Sequence, residues 1–477
     1  PRGDLRYRQL LEMANRIARV LTEDMGLVPG NRVLLRGCNS PMMAACWFAV
    51  QKAGGIAVAT MPLLRAKELI DVVSKAEVSL ALCEHELLGE LEAARAECPT
   101  LRRIECWYGG GLEARMAGKP ADFANVDTAR DDIALIAFTS GTTGKPKGTA
   151  HFHRDVLAIC DCFPRSTLKP AMDDVFCGTP PLAFTFGLGG LLLFPIRFGA
   201  ATLLMEKLTP ETLLKTIRDH RATICFTAPT FYRMMAGLAG GYDLSSLRKC
   251  VSAGEALPVA TRELWLQATG IRIIDGIGAT ELLHIFISAA GDEIRPGATG
   301  KPIPGYTAAV FDDTGRPLPP GNIGRLGVKG PTGCRYLDDP RQAAYVHDGW
   351  NFTGDSYLVD GDGYFHYQAR TDDMIISAGY NIGGPEVEDV LLKHPAVAEC
   401  GVIGVPDPDR GQLVKAFVVL RAGFKGDAAM AAELQEHVKN TVAPYKYPRL
   451  VEFRESLPRT ETGKLQRFRL REQAKGQ

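Results

Sequence analysis

Residues 138–153 read FTSGTTGKPKGTAHFH directly after an apolar run, DIALIAF. Gly141, Gly144 and Gly148 let the backbone turn sharply and bring N–H groups close to an anion. Thr139, Ser140, Thr142 and Thr143 add hydroxyl donors, and Lys145 and Lys147 add charge. This is the chemistry of a loop that wraps phosphates. It is not the G-x-x-x-x-G-K-S/T loop, because Pro146 stands where that pattern requires Ser or Thr. The residues that follow read as extended up to a helix near Asp155. The competing reading is a surface hairpin.

Further along the chain, single polar residues stand in glycine-rich turns. Glu281, beside Thr280 in IGATE, is one carboxylate suited to a hard divalent ion that keeps most of its waters. Asp355 follows Thr353–Gly354, where a carboxylate can accept two ribose hydroxyls. Arg370 brings a planar fork fit for ribose or phosphate. Lys464 sits on a glycine turn in TETGKLQRF, where an isolated lysine is ordinarily solvated. His151-x-His153 has no further ligand cluster, so it is not read as a zinc site.

Elements of an α/β protein must position these groups. Leu10–Leu21 has helical apolar spacing, RVLLRG and IAVAT read as strands, and a helix runs from Pro41 to about Ala53. This alternation continues to about residue 250 and predicts largely parallel sheets. From Ile294, glycine, proline and short alternating strands predict a β-rich subdomain. After it comes a small α+β unit with a helix at Glu386–Lys393 and a strand at Ala416–Leu420. The expected division is a large domain over 1–371 and a small domain over 372–477, and 477 residues are too many for one core. The 55 basic residues equal the 55 acidic ones, so no net field draws nucleic acid or an anionic membrane. The longest apolar stretch, Phe184–Ile196, is too short to span a bilayer. Twelve scattered cysteines without C-x-x-C read as reduced thiols of a cytoplasmic protein. The start at Pro1 reads as the middle of a domain, with an N-terminal segment expected before it.

TSGTTGKPKG resembles the phosphate loop of the adenylate-forming superfamily of acyl- and aryl-CoA ligases, luciferases and adenylation domains. IGATE, TGD (Thr353–Asp355), RTDDMIISAGYNIGGPEVE (Arg370–Glu388) and PRTETGK (Pro458–Lys464) resemble its later signatures, in order and along the whole chain. Ile277 departs from the usual aromatic, a change expected in the packing near adenine. The resemblance implies ATP, Mg²⁺ and coenzyme A. The loop with Lys147 would hold the phosphates and Glu281 the Mg²⁺, with Thr280 beside it. Gly254, Glu255, Asp275, Gly276, Ile277 and Gly278 would line the base, and Asp355 and Arg370 would hold the ribose. Lys464 would bridge the acid carboxylate and the α-phosphate. The small domain would be mobile, turning about Asp372 to offer Ser377, Gly379 and Tyr380 to the pantetheine tunnel.

Two stretches bear on the acid. PPLAFTFGLGG and IGATELLHIF combine small and aromatic residues into a flat slot fit for a ring. They resemble benzoate-type ligases, and most closely 2-aminobenzoate–CoA ligases, in which Ala183, Phe184, Gly278, His284 and Ile285 fall on ring-lining positions. No aspartate stands near Phe184 to bind an α-ammonium, which disfavours an amino-acid-activating domain. The expectation is an aryl-CoA ligase, monomeric or homodimeric, acting on a small aromatic acid. The alternatives are benzoate or another acyl acid, a luciferase-like oxygenase, or a non-catalytic binder. The basic tail RFRLREQAK reads as a solvated helix face.

Overall fold

In the computed structural model, residues 4–139, 146–206, 208–377, 380–459 and 464–475 are described. Short runs such as Arg32–Arg36 and Leu80–Glu84 are apolar and buried almost throughout, as strands covered on both faces must be. They build a six-stranded sheet in the order Arg103–Trp107, Leu80–Glu84, Arg32–Arg36, Ile56–Thr60, Ile133–Thr139, Lys147–Phe152. Its pairs are parallel except the last, which is antiparallel. The intervening helices are cut by local chemistry. The helix Pro41–Lys52 starts with Pro41 in its first turn and with Ser40 accepting from the Met43 amide at 3.1 Å. The helix Tyr7–Arg19 turns Met13, Ala14, Ile17 and Ala18 inward.

A seven-stranded sheet follows. Ala201–Thr202, Val175–Gly178, Ile224–Thr227, Lys249–Ser252 and Ile273–Gly278 run parallel, and Ile285–Ser288 and Lys301–Pro302 close the edge antiparallel. One apolar core joins both sheets to the helices around them. The glycine- and proline-rich region forms an antiparallel sheet of Thr307–Phe311, Ile323–Lys329, Trp350–Val359, Val346–His347 and Phe365–Arg370. The chain is thus α/β, with a large N-terminal part of mixed sheets and a smaller C-terminal part.

The C-terminal part has its own sheet (Tyr380–Ile382, Ile375–Ser377, Gly411–Leu420, Val397–Asp407 and Leu450–Phe453) and its own core around Val387, Leu391, Val402 and Val418. The single turn Thr371–Asp373 connects it to the antiparallel sheet. The helix and strand expected at Glu386–Lys393 and Ala416–Leu420 extend over Gly384–Lys393 and Gly411–Leu420. All twelve thiols are free. No helix among the described residues is long and apolar enough to cross a membrane.

The reading of the basic tail as a solvated face is corrected. Within the helix Arg467–Lys475, Leu470 is fully buried, Arg471 pairs with Asp373, and Arg467 makes an ion pair of 2.6 Å with Glu388. Charges spaced along the sequence looked like a surface, but their partners lie far away in the chain. Glu388 also accepts from the Val402 amide at 2.8 Å. Arg467→Met leaves that carboxylate enclosed without its cation, which costs about 3 kcal/mol. Urea unfolding should show the loss, and an unchanged midpoint would place the pair among inert surface bridges.

Candidate active site

Loops leaving the carboxyl ends of the parallel strands meet the antiparallel sheet and the small domain around a cleft of 2690 Å³. That is where open α/β sheets present ligands. Thr139, Lys147, Gly254, Glu255, Asp275, Gly276, Ile277, Gly278, Thr280, Glu281, Asp355, Arg370 and Lys464 all line it. Phe184, His284 and Ile285 line the same cleft. Ala183, next to Phe184, is half-buried. Leu182, next to it, is buried in the core, and the chain turns at Ala183 before presenting Phe184. Ser140, Gly141, Thr142, Thr143, Gly144 and Gly379 lie outside the described residues. Ser377 and Tyr380 lie away from the cleft: Ser377 is buried beside Arg410 at 3.4 Å, and Tyr380 is stacked on Tyr445 at 4.3 Å.

Four of the carboxylates lining the cleft are those singled out in the sequence. Asp275, within the strand Ile273–Gly278, is buried with Oδ1 unpartnered. Burial raises its carboxyl to about 6, while the Arg262 charge opposes the rise. Asp355 faces Arg370 in register across two antiparallel strands, and Arg370 Nη1 donates to it at 3.1 Å and to the Thr353 carbonyl at 3.0 Å. Gly354 between them has φ +77°, and a Cβ there would stand 2.7 Å from the guanidinium, so the turn demands glycine. Burial raises the Asp355 carboxyl against the pull of Arg370. Glu255 is likewise raised by burial, opposed by the Thr230 hydroxyl at 2.9 Å and by Arg459 and Lys464.

The fourth, Glu281, occupies the one-turn helix Thr280–Leu282 and is 8% exposed. The Tyr336 hydroxyl donates to its Oε1 at 2.6 Å. The adjacent Leu283 has φ +69°, a strained value for leucine that fixes this turn. An enclosed carboxylate with one oxygen committed to a donor and hard-oxygen character fits a divalent ion shared with phosphates. Among the described residues, no cluster of three or more His, Cys, Asp or Glu could hold a metal by itself.

Lys464 reaches into this group from the small domain. A Cβ on Gly254 would lie 3.4 Å from its Cε and 3.7 Å from its Nζ. Lys464 is exposed to the cleft yet lies among its walls. That enclosure lowers its pKa, and Glu255 and Asp355 hold it up. Arg459, in the same terminal motif, lies 4.0 Å from Glu255 of the large domain and 2.8 Å from Glu399 of its own. Two more contacts join the domains: the Ala260 amide donates to Asp389 at 3.2 Å, and Arg233 donates to the Leu392 carbonyl at 3.5 Å.

Elsewhere along the cleft, His284 is 3% exposed, with Phe194, Phe186 and Phe163 rings at 4.5, 5.7 and 5.9 Å. Neither ring nitrogen has a hydrogen-bond partner. Burial lowers its pKa to about 3, and the Phe186 backbone opposes this slightly without meeting hydrogen-bond geometry. The imidazole is therefore neutral at physiological pH, with one donor and one acceptor nitrogen. Gly189 makes room for it, since a Cβ there would lie 2.4 Å from His284 Cδ2.

Reading the sequence missed Tyr336, Thr230, Arg262 and Arg459. Arg459 could have been found, because it stands inside PRTETGK; the others have no local signal. His151, set aside as a metal ligand, instead binds the Thr280 carbonyl through Nε2 at 2.7 Å.

Comparison with known proteins matches residues 2–335 to the AMP-binding enzyme family and residues 386–464 to the AMP-binding enzyme C-terminal domain. A benzoate–CoA ligase of Thauera aromatica is 35% identical, covering 98% of this chain and 91% of that protein. The mitochondrial acyl-coenzyme A synthetase ACSM3 of Homo sapiens is 34% identical, covering 98% of this chain and 82% of that protein. Among solved structures, the anthranilate CoA ligase AuaEII in complex with anthranoyl-AMP superposes with a TM-score of 0.93 at 36% identity, covering 98% of this chain and 92% of that one.

The Asp275 carboxyl carries a pH signature. Its folded value near 6 exceeds the ordinary aspartate value of ~3.9, so the unfolded chain gives up this proton first. Stability therefore falls as pH rises from ~4 to ~6, with a slope of at most about 1.4 kcal/mol per pH unit. Asp275→Asn lacks that slope. Urea stabilities of the two proteins should diverge across this window, the variant becoming the more stable, and run parallel outside it. Parallel curves throughout would mean that the carboxyl is not raised.

Proposed function

The chain belongs to the AMP-binding enzyme family and is an AMP-forming acid–CoA ligase, and we propose that its acid is an aromatic carboxylate, 2-aminobenzoate foremost. In the first half-reaction the acid carboxylate attacks the α-phosphorus of ATP and pyrophosphate leaves, giving aryl-AMP. In the second, the coenzyme A thiol attacks the carbonyl of that mixed anhydride and AMP leaves.

Two anions must approach in the first step. Lys464, reaching over Gly254, would place its ammonium between the carboxylate and the α-phosphate, where negative charge concentrates. Lys147 and the loop before it would hold the β and γ phosphates. Asp355 and Arg370 would orient the ribose, and the unpartnered Oδ1 of Asp275 would accept from the adenine amino group. Mg²⁺ accompanying ATP would be held at Glu281 and would neutralise phosphate charge. For the second step the small domain would turn about Asp372, withdrawing Lys464 and bringing the Ser377–Tyr380 segment toward the thiol. In the present arrangement Lys464 is in the cleft and Tyr380 is outside it, as the adenylating pose requires.

The observation that carries the choice of acid is His284. An enclosed ring nitrogen without a partner costs about 1–3 kcal/mol; the Nε2 edge of His284 packs on Gly189, and an amino group on the acid's ring could donate to Nδ1. Phe184, Phe186 and Ile285 supply apolar walls, with Phe194 packed behind His284. Unsubstituted benzoate is the second reading, supported by the similarity to the Thauera aromatica ligase, but it leaves Nδ1 unmet.

Pyrophosphate release should be measured with benzoate, 2-aminobenzoate, 4-hydroxybenzoate and a medium-chain fatty acid. The highest kcat/KM is expected for 2-aminobenzoate. A preference for the fatty acid would remove the aryl assignment, and release with no acid would leave a nucleotide binder. His284→Ala should erode the preference for 2-aminobenzoate over benzoate by about tenfold; a change in ATP affinity alone would move His284 out of the acid pocket. Lys464→Ala should lower aryl-AMP formation by a factor on the order of 10²–10³, while thioester formation from supplied aryl-AMP stays nearly intact. Equal loss of both would contradict the two-pose scheme.

A further inference from the structure

Glu281 is gripped from a strand to which it does not belong. Lys147–Phe152 leaves the glycine-rich loop and passes beneath the turn Thr280–Leu282. From it, the fully buried His151 takes the Thr280 carbonyl at 2.7 Å, fixing the backbone of the turn. Residues 335–337 run alongside as an antiparallel strip: the Ala150 amide donates to the Arg335 carbonyl at 2.8 Å, the Leu337 amide to the Gly148 carbonyl at 2.9 Å, and Thr149 bridges to Tyr336. The strip delivers the Tyr336 hydroxyl to Glu281 Oε1 at 2.6 Å. Lys147 Nζ approaches the same hydroxyl at 3.5 Å and lies 5.2 Å from the ring centroid. Tyr336 is itself locked: it is 6% exposed, its amide donates to Gln342 Oε1 at 2.7 Å, and Tyr345 meets it edge-on at 5.6 Å.

We propose that Tyr336 is the positioning residue for Glu281, holding one carboxylate oxygen so that the other faces the metal that enters with ATP, and linking that carboxylate to the lysine end of the phosphate loop. This rests on the reading of Glu281 as the carboxylate on the metal side. A glutamate has three rotatable bonds and loses about 1.5–2 kcal/mol of rotamer entropy when fixed. A short O–H···O⁻ bond is among the stronger neutral–ionic contacts, and here it fixes the side chain before the ligand arrives. It occupies Oε1 only, leaving the lone pairs of Oε2 for the ion. Nothing in the residues around Glu281 in sequence signals this arrangement, because the donor lies 55 positions away.

Calorimetric binding of Mg·ATP, of ATP in EDTA and of AMP separates this role from a purely structural one. Tyr336→Phe should weaken Mg·ATP binding about tenfold and leave metal-free ATP and AMP within about twofold. Glu281→Gln should show the same metal-conditional loss, and adding Tyr336→Phe to it should cost nothing further, since the tyrosine acts through the carboxylate. Tyr336→His, which keeps a donor nitrogen and does not depend on the phenylalanine variant folding, should bind Mg·ATP more tightly than Tyr336→Phe relative to AMP. Equal weakening of all three nucleotide states, unchanged Mg·ATP affinity in Tyr336→Phe, or additive losses in the double variant would overturn the assignment. A wild-type chain that binds ATP without metal dependence would remove the reading of Glu281 together with it, whereas metal-dependent wild-type binding with an unaffected Tyr336→Phe removes this assignment alone.

Discussion

The constraint on which the cleft depends is the crowding of carboxylates out of water. Glu255, Asp275, Glu281 and Asp355 converge around a space proposed to receive a polyphosphate, so their negative charge cannot go unmanaged. Burial raises Glu255, Asp275 and Asp355, which is the electrostatic cost of enclosing them. Each is answered by something local: Arg370 for Asp355, Arg262 for Asp275, Tyr336 for Glu281. Glu255 is different, because its cations come from the other domain as Arg459 and Lys464. Closing the domains and balancing the charge of the cleft are therefore one event.

Much of this was legible in the sequence wherever chemistry depends on neighbours in the chain. The glycine turn at Gly354, the carboxylate after it and the lysine of the terminal motif are local devices, and the structure brings Asp355, Arg370 and Lys464 to one cleft. The alternating apolar runs announced the parallel sheets because strands buried on both faces have no other composition. What was illegible depends on distance along the chain. Tyr336 reaches Glu281 from 55 residues away, and Arg467 reaches Glu388 from 79. No spacing rule covers such pairs, so the tail was read as solvated and the tyrosine was overlooked.

The contact between domains is small and polar. Asp389 of the small domain receives the Ala260 amide in the first turn of the helix Val259–Thr269, a position where a carboxylate also meets the positive end of the helix dipole. Arg459 spans Glu255 and Glu399, and Arg233 meets a backbone carbonyl. Polar contacts of this kind exchange readily with water, in contrast to the apolar cores within each part. Such an interface suits the domain turn proposed for the second half-reaction.

Gly189 has a consequence for how specificity can change over time. It lies behind His284, in a turn of the helical segment Leu188–Leu193, and its bare Cα sets how far the imidazole can retreat. A single methyl there would push the ring toward the cleft without altering any residue that lines it. Two descendants of this chain could share every lining residue and still offer a ligand different room, because the dimension that matters is recorded one layer further out.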